Sequence, residues 1–309
     1  MDNWLTVIIT FRNEAHEVYN TLRSIKELSD CEYDIILIND GSDDGYDYRK
    51  VSMQFNAKYI ENKESIGVAS SREYGICLCQ TTYFILLDAH MRAFTPLWTS
   101  KLKEELEKDW RAIFCCQTVS IDKKGKPLSL NAKGSGVRVN LKDLSYTWNS
   151  ICVDSNETIN IPCIMGASYA ANKNYWNYLH GLKGLRSYGF DEQLISLKAL
   201  LEGGMCKLIK SITFGHIFRD LKDVPYEIRN IDYIFNQLYL IELLYPTNEK
   251  IEFLRFLKYR YKEESFSQAI SILSRMRLEI CQEKVYYGSI FNRDFNFVID
   301  FNKEDFKNQ

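Results

Sequence analysis

Four short apolar runs, each too brief for a globular helix, punctuate the N-terminal third of the chain: WLTVIITF (4–11), DIILIND (34–40), AKYIEN (57–62) and TYFILLD (82–88). Two segments between them have helical period instead. NEAHEVYNTLRSIKEL (13–28) spaces Val18, Leu22, Ile25 and Leu28 along one face, and IGVASSREYGICLC (66–79) reads as a second helix. Strands and helices alternating in this way form βαβ units, so the chain predicts an α/β fold with an open, doubly wound sheet. In such sheets ligands bind beyond the carboxyl ends of the strands.

The pattern continues with a helix over LWTSKLKEELEKD (97–109) and a strand over RAIFCCQTVSI (111–121). Residues 122–160 are polar and turn-rich and read as an insertion covering one face, whereas DEQLISLKALLEGG (191–204) is a helix stopped by two glycines. From about residue 226 the sequence turns to Tyr, Phe, Leu, Ile and Lys at helical spacing, with no turn-rich linker. The expected division is an α/β unit over 1–225 and a helical C-terminal extension over 226–309 packed on it. The tail's amphipathic helices are read as core, with an acceptor surface or a homodimer contact as the other uses.

Composition excludes some classes. The net charge is −2, with Lys and Arg spread along the chain, so no nucleic-acid partner is expected. Nine cysteines occur without a C-x-x-C pair, as suits free thiols in a reducing compartment. No apolar run reaches the roughly 18 residues of a membrane span, and no basic segment precedes the first apolar run. A cytoplasmic protein without an integral membrane segment is therefore expected.

Three polar clusters stand at predicted strand ends: Thr10-Phe11-Arg12-Asn13-Glu14, Asp40-Gly41-Ser42-Asp43 and Asp88-Ala89-His90. Asp88 and His90, two apart, point to one face of a strand. His216, in ITFGHIFRD, also follows an apolar strand and could complete a ligand set. A carboxylate with two imidazoles suits Mn²⁺ better than Mg²⁺, which prefers oxygen. The plainer alternative is a turn cap and two structural histidines; His16 and His180 are read as ordinary polar positions. Asp40 could accept from a base or ribose, or only shape the DGSDDG turn. Arg72 could reach a diphosphate or be a solvated helix residue. Asp191 and Glu192 open a helix, where its dipole favours carboxylates, or stand near an acceptor hydroxyl. Gly166, in GASYA, allows a close approach of ligand or merely tight packing.

Taken in order, VIITFRNEA, INDGSDD, ENKESIGVASSREYG, LLDAHM, IMGASYAANKNYW, SYGFDEQLISLKALLEGG and GHIFR resemble the family-2 type GT-A glycosyltransferases, most closely the catalytic domain of the polypeptide N-acetylgalactosaminyltransferases. The resemblance spans residues 4–220. It implies a GT-A fold, Rossmann-like, with a mixed, mostly parallel sheet flanked by helices. It also implies a transferase that uses a UDP-sugar and Mn²⁺ or another divalent cation, with Asp88, His90 and His216 as metal ligands. Thr10, Asp40 and Arg72 correspond to nucleotide-contacting positions, and Phe11, Glu14, Gly166 and Tyr188 are counted with them. Arg219 matches an arginine that helps hold the diphosphate, and Asp191 and Glu192 are the other catalytic candidates. The family's W-G-G-E-N segment falls on Tyr188-Gly189-Phe190-Asp191-Glu192, so the sugar does not carry over. Neither a membrane anchor nor a lectin domain is expected.

The expected activity is transfer of a hexose or N-acetylhexosamine to a hydroxyl of a peptide or saccharide acceptor. Overall similarity favours retention, whereas Asp191 or Glu192 acting as base gives inversion. The alternatives are a non-catalytic UDP-sugar-binding protein and a metallophosphoesterase, which needs further ligands for a second metal.

Overall fold

The computed structural model describes residues 3–128, 133–134, 136–148, 157–165 and 167–303, so the position expected at Gly166 lies outside the described residues. Strands β1 (Leu5–Phe11), β2 (Asp34–Asn39), β3 (Lys58–Glu61) and β4 (Tyr83–Asp88) run parallel in the order β3-β2-β1-β4. They are joined by helices α1 (Glu17–Glu27), α2 (Tyr48–Gln54) and α3 (Val68–Leu78). α2 lies where the sequence reads only as a turn followed by a strand; Asp47 starts it by accepting from the Lys50 amide at 2.9 Å.

The chain continues through β5 (Met91–Ala93), α4 (Trp98–Lys108), β6 (Ala112–Ser120) and the two-residue β7 (Lys133–Gly134). A separate hairpin of β8 (Val137–Val139) and β9 (Tyr146–Trp148) follows, then β10 (Thr158–Ile161), β11 (Ser168–Asn172), α5 (Lys173–Tyr178), α6 (Asp191–Glu202) and β12 (Met205–His216). All strands except the hairpin form one sheet. It is mixed, because β11 lies antiparallel between β4 and β6.

Strand alternation divides the core into two layers. Ile8, Ile36, Phe84 and Leu86 face the side covered by α3, α5 and α6, while Val7, Ile9, Leu37, Ile85 and Leu87 face α1 and α4. Thr10 and Asp88, paired across β1 and β4, continue the first set of positions to the strand ends. They therefore emerge on the face of α3 and α6.

The tail forms α7 (Asn230–Leu244), α8 (Thr247–Arg260), α9 (Glu263–Arg275), α10 (Arg277–Ile290) and α11 (Phe295–Phe301). Phe235, Phe253, Leu257, Tyr287 and Phe301 are buried in the same apolar cluster as Ile8 and Phe84, so the amphipathic stripes are spent on the core. Among the described residues no helix is long and apolar enough to cross a membrane, and all eight cysteines are unpaired.

β12 bends. Its register with β6 shifts between Ile209 and Thr213, and past that irregularity it also pairs with β5, placing His216 opposite Met91. A strand end that began against β6 is thereby delivered beside His90.

Gly67, at the start of α3, has φ +89, and a Cβ there would lie 2.4 Å from the Ser187 Cα. This contact, with the Val68 amide donating to the Ser187 carbonyl at 2.9 Å, joins α3 to the loop that leads into α6. Gly67→Ala is expected to lower unfolding free energy by about 2 kcal/mol or more, read as a reduced urea midpoint at unchanged slope.

Candidate active site

Asp88 ends β4, His90 precedes β5 and His216 ends β12, and one ligand atom from each lies within 4.8 Å of the others. The two Nε2 atoms of His90 and His216 face each other at 3.1 Å, and His216 Nε2 is 3.4 Å from Asp88 Oδ2. Two imidazole nitrogens so placed satisfy each other only by sharing one proton. Both lone pairs and the carboxylate can instead bind one divalent cation, so these residues fit the ion that the sequence implies. Burial lowers the His216 pKa despite the Asp88 hydrogen bond, favouring the neutral ring that ligates metals. Burial works the other way on Asp88, but the hydrogen bond from His216 and the charge of Arg72 hold its carboxyl well below the usual range.

Arg72 is 5% exposed and is not a solvated helix residue. Its guanidinium donates to Asp88 Oδ1 at 2.7 Å, to the Tyr169 hydroxyl at 3.0 Å and to Asp191. Burial disfavours its charge, but Tyr169, Asp191 and Asp88 outweigh that and keep it protonated. Asp191 is therefore committed to Arg72. Glu192, half-buried beside it, has its carboxyl pushed well above the usual range, first by burial and then by the Asp191 charge.

Glu14 is 5% exposed and accepts from Arg219 through both guanidinium nitrogens at 2.6 Å, while its Oε2 lies 3.2 Å from His90 Nδ1. Burial raises its pKa, but the hydrogen bonds from His90 and Arg219 prevail and lower it overall.

The nucleotide-side residues are placed differently from one another. Thr10 sits at the strand edge beside Asp88. Asp40 is at the cleft, yet both its oxygens are occupied: Oδ1 accepts from Asn62 Nδ2 and the Ile66 amide, Oδ2 from Ser65 Oγ and the Gly67 amide, all at 2.7–2.9 Å. It shapes the 62–67 loop. The Phe11 side chain does not reach the cleft expected of it; it packs on Tyr48 at 4.6 Å between ring centroids, because neighbours on a strand face opposite ways. Tyr188 stands 6.2 Å from Tyr226, between ring centroids, near the entry to α6. A cleft of about 780 Å³, lined by Arg12, Ser42, Asn62 and Ser65 among others, opens next to Asp40; the metal-ligand triad is not part of its lining.

The family model described as Glycosyl transferase family 2 matches residues 6–179. The chain belongs to glycosyl transferase family 2. Polypeptide N-acetylgalactosaminyltransferase 14 of Homo sapiens is 26% identical to it over 231 residues, covering 72% of this chain and 41% of that protein. The chain thus spans less than half the length of that relative. Its fold is shared with a crystal structure of GalNAc-T7 with UDP, GalNAc and Mn²⁺, at a TM-score of 0.68 and 17% identity over 86% of this chain and 54% of that one. It is also shared with S. aureus TarS in complex with UDP-GlcNAc, at 0.52 and 13% over 96% and 80%.

Several residues of this family 2 site escape sequence reasoning. Tyr169 looks like one more apolar strand position, yet its hydroxyl lies on Arg72. Exposed Trp148 and Phe218 meet edge-on at 6.1 Å, and Phe218 packs 4.3 Å from His216, between ring centroids. Only the closeness of Phe218 to His216 in GHIFR hinted at this. His180, read as an ordinary loop residue, bonds Glu283 of α10 at 2.7 Å and stacks on Tyr286, outside the site.

The hydrogen bonds to Asp40 outweigh its burial and lower its pKa. A depressed carboxylate contributes stability that is present above its unfolded pKa and lost as pH falls through its folded value. Wild type should therefore exceed Asp40→Asn in unfolding free energy at neutral pH, with the gap closing as pH falls below about 4; denaturation at a series of pH values checks this.

Proposed function

We propose that this chain is the catalytic unit of a metal-dependent glycosyltransferase. It moves a hexose or N-acetylhexosamine from a UDP-sugar to a hydroxyl of a peptide or saccharide acceptor. The convergence of Asp88, His90 and His216 at the carboxyl edge of a family 2 sheet carries this reading. Of the two structures that share the fold, one holds UDP and Mn²⁺ and the other UDP-GlcNAc, which supports the choice of donor and ion. A bound divalent cation would neutralise charge on the diphosphate of the departing UDP.

The residues divide the work as follows. Asp88, His90 and His216 hold the cation, and Thr10 with the Asp40-shaped loop receives the nucleotide. Arg219 adds positive charge near the diphosphate, and Tyr188 borders the sugar. Arg72 holds Asp88 and Asp191 in place. Residues 226–309 act as an extension of the 1–225 unit, consistent with the burial of Phe235, Phe253, Tyr287 and Phe301 in its core, and the unpaired cysteines among the described residues suit a cytoplasmic protein. A dinuclear phosphoesterase would need ligands for a second ion, and the described residues offer one cluster of this kind.

Stereochemistry turns on the acids at the start of α6. Asp191 is neutralised by Arg72, whereas Glu192 has raised proton affinity and adds to the burial that makes Tyr146 harder to ionise. In this reading Glu192, in its ionised form, is the general base, and its raised proton affinity makes that form the stronger acceptor of the two acids. It takes the acceptor hydroxyl proton as the oxygen attacks the anomeric carbon and UDP leaves, which inverts the anomer.

The purified chain should release UDP from at least one UDP-sugar in a Mn²⁺-dependent way, with His90→Ala lowering the rate by about 100-fold or more; full activity in that variant removes the metal assignment. Glu192→Gln should lower kcat by about 10²–10⁴-fold without changing Mn²⁺ affinity. NMR of the wild-type product should show an inverted anomer, and a retained one would remove Glu192 as base.

A further inference from the structure

The turn between β1 and α1 is unusual in conformation. Asn13 has φ +56 and Ala15 has φ +45, so the residues on both sides of Glu14 occupy the left-handed region. For alanine this conformation is strained, and the surroundings offset it. The Asn13 amide donates to Ser42 Oγ at 2.9 Å, and the Ala15 amide to the Tyr48 hydroxyl at 2.8 Å. The Asn13 side chain pairs with Asp43 and donates to the Pro225 carbonyl at 3.1 Å. The result of this geometry is that Glu14 points inward, with 5% exposure, instead of into solvent.

Its two oxygens are fully engaged. Oε1 and Oε2 each receive one nitrogen of Arg219 at 2.6 Å, and Oε2 is also 3.2 Å from His90 Nδ1. A carboxylate can only accept, so His90 meets it with Nδ1–H and must present the Nε2 lone pair towards Asp88 and His216. The three ligands are thus supported unequally. Arg72 orients Asp88 and Glu14 orients His90, whereas His216 Nδ1 is buried without a hydrogen-bond partner among the described residues.

We infer that Glu14 is a positioning residue of the metal site and not a donor contact: it fixes the tautomer and ring orientation of His90 and, by clamping Arg219, fastens the segment after His216 over the same site. This rests on the metal-dependent reading given above. The Asn13 bond to Pro225 acts in the same sense, so one strained turn gathers two ligand-bearing segments separated by 126 positions. The carboxylate also offers Arg219 two parallel hydrogen bonds, which hold a planar guanidinium in one orientation.

The test is Mn²⁺ affinity of the protein alone, measured by EPR of free Mn²⁺ with no donor present, beside UDP binding by calorimetry and unfolding by circular dichroism. Glu14→Ala is expected to weaken Mn²⁺ binding about 10–100-fold, and Glu14→Gln, a weaker acceptor of similar shape, about 10-fold. Arg219→Ala, which removes the clamp but leaves the Glu14 bond to His90, should weaken UDP binding and cost less Mn²⁺ affinity than Glu14→Ala. Glu14→Gln decides the matter should the alanine chain fail to fold. Wild-type Mn²⁺ affinity in the folded Glu14 variants overturns the inference, as does weaker UDP binding with Mn²⁺ affinity unchanged, which would make Glu14 a donor contact. If the wild-type chain itself binds no Mn²⁺, the metal-dependent reading fails first.

Discussion

The buried guanidinium of Arg72 holds the catalytic side of the molecule together. It projects from α3 and meets Asp88 at the end of β4, Tyr169 on β11 and Asp191 at the start of α6. A charge this deep is tolerated only when paired and hydrogen-bonded, and removing one partner of such a pair typically costs about 3–5 kcal/mol. Four separate elements are thereby obliged to meet at one point. Asp88 is also a candidate metal ligand, so the interaction that assembles the core layer also aims the carboxylate.

The candidate metal site depends on two further departures from regular structure. The irregularity between Ile209 and Thr213 turns β12 towards β5 and brings His216 to His90. The left-handed turn at Asn13 and Ala15 sends Glu14 inward to the other face of His90. Backbone strain concentrated around a site is what is expected when side chains must be aimed and not merely buried. The tail contributes from behind: Phe235 and Tyr287 belong to the apolar cluster that supports α5 and α6.

The comparison of Asp191 with Glu192 shows how environment assigns roles to adjacent acids. Asp191 bonds the Arg72 guanidinium, whereas Glu192 is half-buried beside it. Burial, and then the charge of Asp191, make ionisation of Glu192 harder. One of two carboxylates in sequence is thus fixed to a buried cation, while its neighbour holds a proton more readily.

Much of this was legible in the sequence. Period-two and period-3.6 patterns are local, so β1 to β4, α1, α3, α4 and α6 are close to their expected bounds; Asp88 and His216 are marked by the strands that end in them and His90 by its place two residues after Asp88. The short α2 was not legible, because one capping aspartate among several turn-forming acids gives little signal. Nor was the fate of Phe11, whose expected place in the cleft ignored that Thr10 had already taken that face. The sequence by itself determined the strongly periodic elements and which residues have metal-binding chemistry, since both follow from side-chain type and spacing. Tertiary structure alone decided that β11 enters antiparallel, that Asp40 spends its oxygens on a loop and that Glu14 serves His90 and Arg219. Those outcomes depend on hydrogen bonds between residues up to 205 positions apart, which no local pattern encodes.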